Sequence, residues 1–73
     1  PSTSIRFSLS KNSDIKLLLY DVSGKLLSVL KEGFFKAGDY NVQINLQDFG
    51  TGIYFYSLET HEGKLTQKMI LAK

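Results

Sequence analysis

The chain has 73 residues, 9 Lys plus Arg against 7 Asp plus Glu, a formal charge of +2 and no cysteine. A domain near this size buries only about 60% of the surface its unfolded chain exposes, so nearly every large apolar side chain is needed in the core and little is left to line a deep cavity. Acidic and basic residues alternate along the chain instead of gathering in a basic stripe, which argues against nucleic-acid binding. The missing cysteines exclude disulfides, thiolate metal sites and cysteine nucleophiles. No apolar run approaches the roughly 20 residues that span a bilayer, and no charged-then-apolar leader opens the chain. An opening at Pro1-Ser2-Thr3 reads as a mature fragment or an excised domain.

The first segment, "SIRFSLS", alternates Ile5, Phe7 and Leu9 with Arg6, Ser8 and Ser10, the two-residue period of a strand with one wet face. Turn formers in "KNSD" end it. In "IKLLLYD", Ile15, Leu17 and Leu19 share one face while Leu18 and Tyr20 occupy the other, so both faces are expected to be partly covered. "DVSGK" supplies a turn with Gly24 at a positive-φ position, and "LLSVLK" returns to complete a hairpin. "EGFFKAGDY" carries two glycines around Phe34 and Phe35 and reads as a crossing loop that contains a short edge strand. "YNVQINL" restores strict alternation of Tyr40, Val42, Ile44 and Leu46 with Asn41, Gln43 and Asn45. After "QDFGTG", the strand "IYFYSLET", the turn "HEG" and the strand "KLTQKMILAK" form a second hairpin.

No stretch repeats at helical spacing, and β-branched and aromatic residues fill the runs between glycines. The predicted fold is all-β, a single domain over residues 1–73: a small antiparallel immunoglobulin-like β-sandwich of about six or seven strands. A five- or six-stranded barrel is the structural alternative.

The stretch "GTGIYFYSLET" sets Tyr54, Phe55 and Tyr56 side by side. In a strand, Tyr54, Tyr56 and Leu58 take one face and Ile53 and Phe55 the other. Tyr54, two residues after Gly52, is placed to bond its hydroxyl back to nearby backbone, as a tyrosine at the start of a late strand does in immunoglobulin-like folds. The expectation is that one face packs inward and the other is capped by Phe34, Phe35 or Phe49. Adjacent aromatics also serve as stacking platforms for sugars or bases, but a core this short of large side chains favours the structural role.

Catalytic chemistry finds no support. His61, the single imidazole, sits in a turn between two strands with no second imidazole or thiol to complete a zinc site. "DVSGK" lacks the alternating acids and closing glutamate of a calcium loop. The serines have no base and orienting group in context, and Glu59 and Glu62 flank a turn as ordinary surface acids. No catalytic residue, cofactor or metal is expected.

Taken together, "STSIRFSLSKNSDIKLLLYDVSGKLL", "AGDYNVQINLQDFGTGIYFYSLET" and the terminal "QKMILAK" resemble the type A C-terminal sorting domain of the type IX (Por) secretion system, over essentially the whole chain. The first half is also similar to the immunoglobulin-like domain of flagellar hook-capping proteins. That relative carries a tryptophan and a longer turn where this chain reads "NVQINLQDFGTGIYFY". The family usually begins with an Asn-Pro segment upstream of the first strand; this chain opens at Pro1, so that segment is missing or was trimmed.

The resemblance implies a non-catalytic secretion and cell-surface sorting signal appended to a larger secreted protein of a Gram-negative bacterium, reaching the surface or medium through the periplasm. Implied partners are the outer-membrane translocon, a sortase-like peptidase and an N-terminal cargo domain of the same polypeptide, with neither nucleic acid nor a membrane span. Carried over by position, the family-like elements are Asp21, Gly24 and Lys25 in the first hairpin, Gly52, Tyr54 and Tyr56 in the aromatic strand, and Lys68, Met69, Ile70, Leu71 and Lys73 at the end. A terminal edge displaying Lys64, Lys68 and Lys73 could be read by strand addition, or the lysines could simply guard an edge. An accessory carbohydrate- or protein-binding module of an extracellular enzyme and a flagellar structural domain are the alternatives.

Overall fold

The computed structural model describes residues 2–72. Six strands run in chain order: β1 (Ser2–Leu9), β2 (Ser13–Tyr20), β3 (Leu26–Phe35), β4 (Gly38–Asn45), β5 (Gly52–Thr60) and β6 (Gly63–Leu71), with one short 3-10 turn over Leu46–Asp48. They form two sheets, a two-stranded one of order β1-β4 and a four-stranded one of order β3-β2-β5-β6, and every pairing is antiparallel. The chain is an all-β sandwich, as its two-residue periodicity predicts.

Alternation puts one row of each strand between the sheets. Ile5 and Leu9 of β1, Val42 and Ile44 of β4, Ile15 and Leu17 of β2 and Leu58 of β5 make the buried core, with Phe7, Leu30, Phe35, Tyr40, Phe49, Tyr56 and Met69 packed against it. Asn41, Gln43 and Asn45 face solvent, as the strict alternation of β4 requires. Aromatic rings close one end: Tyr40 stacks on Phe7 at 5.3 Å between centroids and meets Phe35 edge-on at 5.1 Å. Such pairs add to the area term that dominates the stability of a small core.

The segment "EGFFK" departs from the loop reading. Glu32 to Phe35 continue β3, and only Lys36 and Ala37 carry the chain across to the other sheet. Gly33, at φ 138°, pairs with Ile15 within the ladder rather than breaking it. Irregularities in the β2–β3 register, between Leu17 and Leu18 and again between Leu19 and Tyr20, shift the phase of β3. That phase shift hides the strand from a simple period-two count. The short crossing is tied down where the Ala37 amide donates to Asn12 Oδ1 at 2.8 Å and the Ser8 hydroxyl to Asp39 Oδ1 at 2.6 Å.

Two strands cannot cover four. On the inner side Leu65 of β6 pairs with Leu58 yet remains 58% exposed. Further along the same strand Met69 is half-buried and Leu71 fully buried. The sandwich is thus sealed at the Leu71 end and open at the β5–β6 turn.

Candidate functional site

The first hairpin turn is organised by one carboxylate. Asp21 Oδ1 accepts from the Ser23 amide at 2.9 Å, the Ser23 hydroxyl at 2.6 Å and the Lys25 amide at 3.0 Å. Backbone bonds from the Asp21 amide to Lys25 O (2.9 Å) and from the Gly24 amide to Asp21 O (3.0 Å) close the loop. Gly24 takes φ 92°, a conformation that a side chain would strain. The Ser23 hydroxyl, and then the Lys25 amide, hold the Asp21 carboxyl below its ordinary value. These groups favour the charged form. Asp21, Gly24 and Lys25 are therefore one turn-building unit, and Ser23, which sequence reasoning passed over, is its fourth member. The Asp-x-Ser spacing that marks a side-chain-closed turn was the available signal.

In β5 the Tyr54 hydroxyl donates to Gly50 O at 2.6 Å, and its ring meets Phe49 edge-on at 6.2 Å. Gly52 opens the strand opposite Leu71, and a Cβ there would stand 4.0 Å from the Tyr54 ring. Tyr56 lies on the same inner side, half-buried against the core between Leu19 and Gln67. The chain makes the same device twice: the Tyr40 hydroxyl donates to Lys36 O at 2.5 Å, again four residues back. Both tyrosines follow a Gly-x-Tyr spacing, "GDY" and "GIY", which was legible in the sequence for the second and overlooked for the first.

Ile53 and Phe55 point the other way, and the expected cap is not there. Phe35 and Phe49 pack against the inner core, while Phe34, 63% exposed, stands uncovered in β3. The reason is again β3: once Phe34 and Phe35 belong to a paired strand, neither is free to fold over β5.

The terminal segment divides by face. β6 is an edge strand paired only with β5. Met69 and Leu71 turn inward, and Leu71 is among the most deeply buried side chains. Lys68 and Ile70 turn outward, Ile70 at 66% exposure. Lys73 lies outside the described residues. The readable part of this segment in the folded domain is the β6 edge together with Lys68 and Ile70.

His61 presents an exposed side chain 3.9 Å from Asp14, and its amide donates to the buried Ser13 hydroxyl at 3.2 Å. Among the described residues no group of three or more His, Asp or Glu side chains could hold a metal ion. Among the described residues no helix is long and apolar enough to cross a membrane.

The model of the family described as the secretion system C-terminal sorting domain matches residues 1–72, spanning every strand from β1 to β6. The chain belongs to this family of type IX sorting domains. No curated protein and no solved structure matches it. A sorting domain of this system marks its protein for export through the periplasm of Gram-negative Bacteroidetes to the medium or the cell surface. It works with the type IX machinery and in attachment to a larger cargo.

Proposed function

We propose that this sorting domain acts without catalysis, as a folded tag appended to a larger secreted protein and read by the outer-membrane translocon, with a sortase-like peptidase acting afterwards. The observation that carries the reading is the extent of the family match: it covers the whole sandwich rather than a terminal string, which supports the folded surface as the unit of recognition. The β6 edge supports this physically. It offers unpaired backbone groups along its outer side, and strand addition there would supply affinity while Lys68 and Ile70 supply specificity. Lysines on an edge strand also restrain edge-to-edge pairing between copies, so Lys64 and Lys68 guard the β6 edge in either case.

The test is a fusion of the domain, with its natural upstream segment, to the C-terminus of a periplasmic reporter in a host that carries the type IX system. The reporter should reach the surface or medium. Replacing Lys68 and Lys73 by glutamate should leave the reporter in the periplasm; the change at Lys68, an exposed site, should alter stability by no more than about 0.5 kcal/mol. Continued export of that variant would restrict the lysines to edge protection. Retention of the unmodified fusion would sink the sorting reading for this chain.

A further inference from the structure

The outer face of the four-stranded sheet carries an ordered pattern of which the sorting reading uses only Lys68 and Ile70. Cross-strand register sets Glu32 of β3, Lys16 of β2, Glu59 of β5 and Lys64 of β6 in one row. Read from edge to edge, the charges run minus, plus, minus, plus. Lys16 and Glu32 pair at 3.7 Å. The next row holds Val29, Leu18, Ser57 and Thr66; the one after it Leu26, Tyr20, Phe55 and Lys68; and then Ile53 beside Ile70. Val29, Leu26, Ile53 and Ile70 are exposed large hydrophobics, with no second layer over them. One end of the face is a charge ladder and the other an apolar field.

We propose that this face is the interface between two copies of the chain, related by a two-fold axis lying between the sheets and parallel to the strands. Such an axis reverses the strand order while keeping each row at its own height, so β3 lies over β6 of the second copy and β2 over β5. An alternating row of even length read backwards is its own complement. Glu32 then faces Lys64, Lys16 faces Glu59, and both contacts occur twice. Two rows further on, Tyr20 meets Phe55. A second copy is the occupant that the charges favour: the row has zero net charge, which gives a uniformly acidic or basic partner nothing to gain, and under this symmetry each charge meets an opposite charge across the interface in addition to its neighbours within the row.

The size of the contact is adequate. Four strands about 4.8 Å apart and about nine residues long give a face near 500–600 Å² per copy, packed as two aligned sheets about 10 Å apart. Twice that area sits at the lower bound of standard protein interfaces, which corresponds to a concentration-dependent dimer rather than an obligate one. Lys64 now leans across the sheet, its ammonium 5.8 Å from the Tyr20 ring. It must swing back into its row when the second copy arrives, which its flexible stem allows. The β6 edge stays free in this arrangement, whereas Lys68 and Ile70 lie within the contact, so the dimer leaves the edge open to strand addition but covers the two side chains that the sorting reading uses for specificity.

Sedimentation of the 73-residue chain between about 10 and about 500 µM, a range suited to an interface of this size, provides the test. The wild type should pass from monomer to dimer. Lys16→Glu and Glu59→Lys should each weaken dimerisation at least about tenfold, because each sets like charges opposite one another twice. An equimolar mixture of the two variants should form a heterodimer, in which every row contact is again of opposite sign. Circular dichroism checks that each variant is folded; if one is not, Glu32→Lys mixed with Lys64→Glu follows the same logic. A wild type that remains monomeric throughout overturns the proposal. So do single variants that dimerise as well as the wild type, and a mixture that fails to recover, either of which would assign self-association to a sheet edge.

Discussion

The two faces of the four-stranded sheet are built from the same strands and differ in what covers them. On the inner face Leu17, Leu19 and Leu71 are sealed from solvent, whereas on the outer face Ile53, Val29 and Ile70 stand open. Leu18 shows the intermediate case: it points outward yet is buried, flanked by Val29 and Ser57 of the adjoining strands. Hydrophobic character alone therefore does not mark the core. Burial follows from having a second layer, and the two-stranded sheet supplies one on one side only.

Substitutions on the two faces should separate sharply. Leu19→Ala removes a fully buried side chain and should cost about 2–5 kcal/mol, most of the margin of so small a domain. A urea midpoint close to wild type would place the core elsewhere. Tyr54→Phe keeps the ring on the inner face and deletes its bond to Gly50, for an expected loss of about 1 kcal/mol. The same change at Tyr40, which makes the matching bond to Lys36, should behave alike if the two corners are equivalent. Unequal midpoints would show that one of them carries the closure.

A smaller effect belongs to the Asp21 turn, outside both faces. Its carboxyl titrates below the ordinary value of 3.8 in the folded chain. The unfolded chain therefore binds a proton first as pH falls. The turn's contribution is complete above that ordinary value and is lost as pH drops through the lower, folded one. Asp21→Asn should lower the thermal midpoint at neutral pH and flatten its decline in acid; an unchanged acid limb would remove Asp21 from the account. Smallest of all, Ile70→Thr should shift the stability of the monomer by no more than about 0.5 kcal/mol, since the side chain is 66% exposed. A loss comparable to Leu19→Ala would mean that the outer face is covered in solution.

How much was legible follows from which signals are local. The alternation in β1, β4 and β5 lies within single segments, and those strands, both hairpins and the position of Tyr54 are readable residue by residue. The second half of β3, Glu32 to Phe35, is not, because the pairing of β3 with β2 is irregular and Gly33, which looks like a break, sits within the ladder opposite Ile15. The missing cap over Phe55 is a consequence of the same error. The division of Lys68, Met69, Ile70 and Leu71 between two faces follows directly from the period of two, but their relation to solvent depends on where the second sheet ends. The charge row is least legible of all: its four members come from four separate segments and meet only through register.

Leu71 belongs to the last strand in chain order and is at the same time one of the most deeply buried side chains, paired across to Gly52. A polypeptide cut or stalled short of residue 71 therefore loses a piece of the core and not merely a dangling end. Because so small a domain has little stability to spare, such a product would present no closed sandwich. Any partner that recognises the closed sandwich would in this way also distinguish chains that keep β6 intact from chains that have lost it.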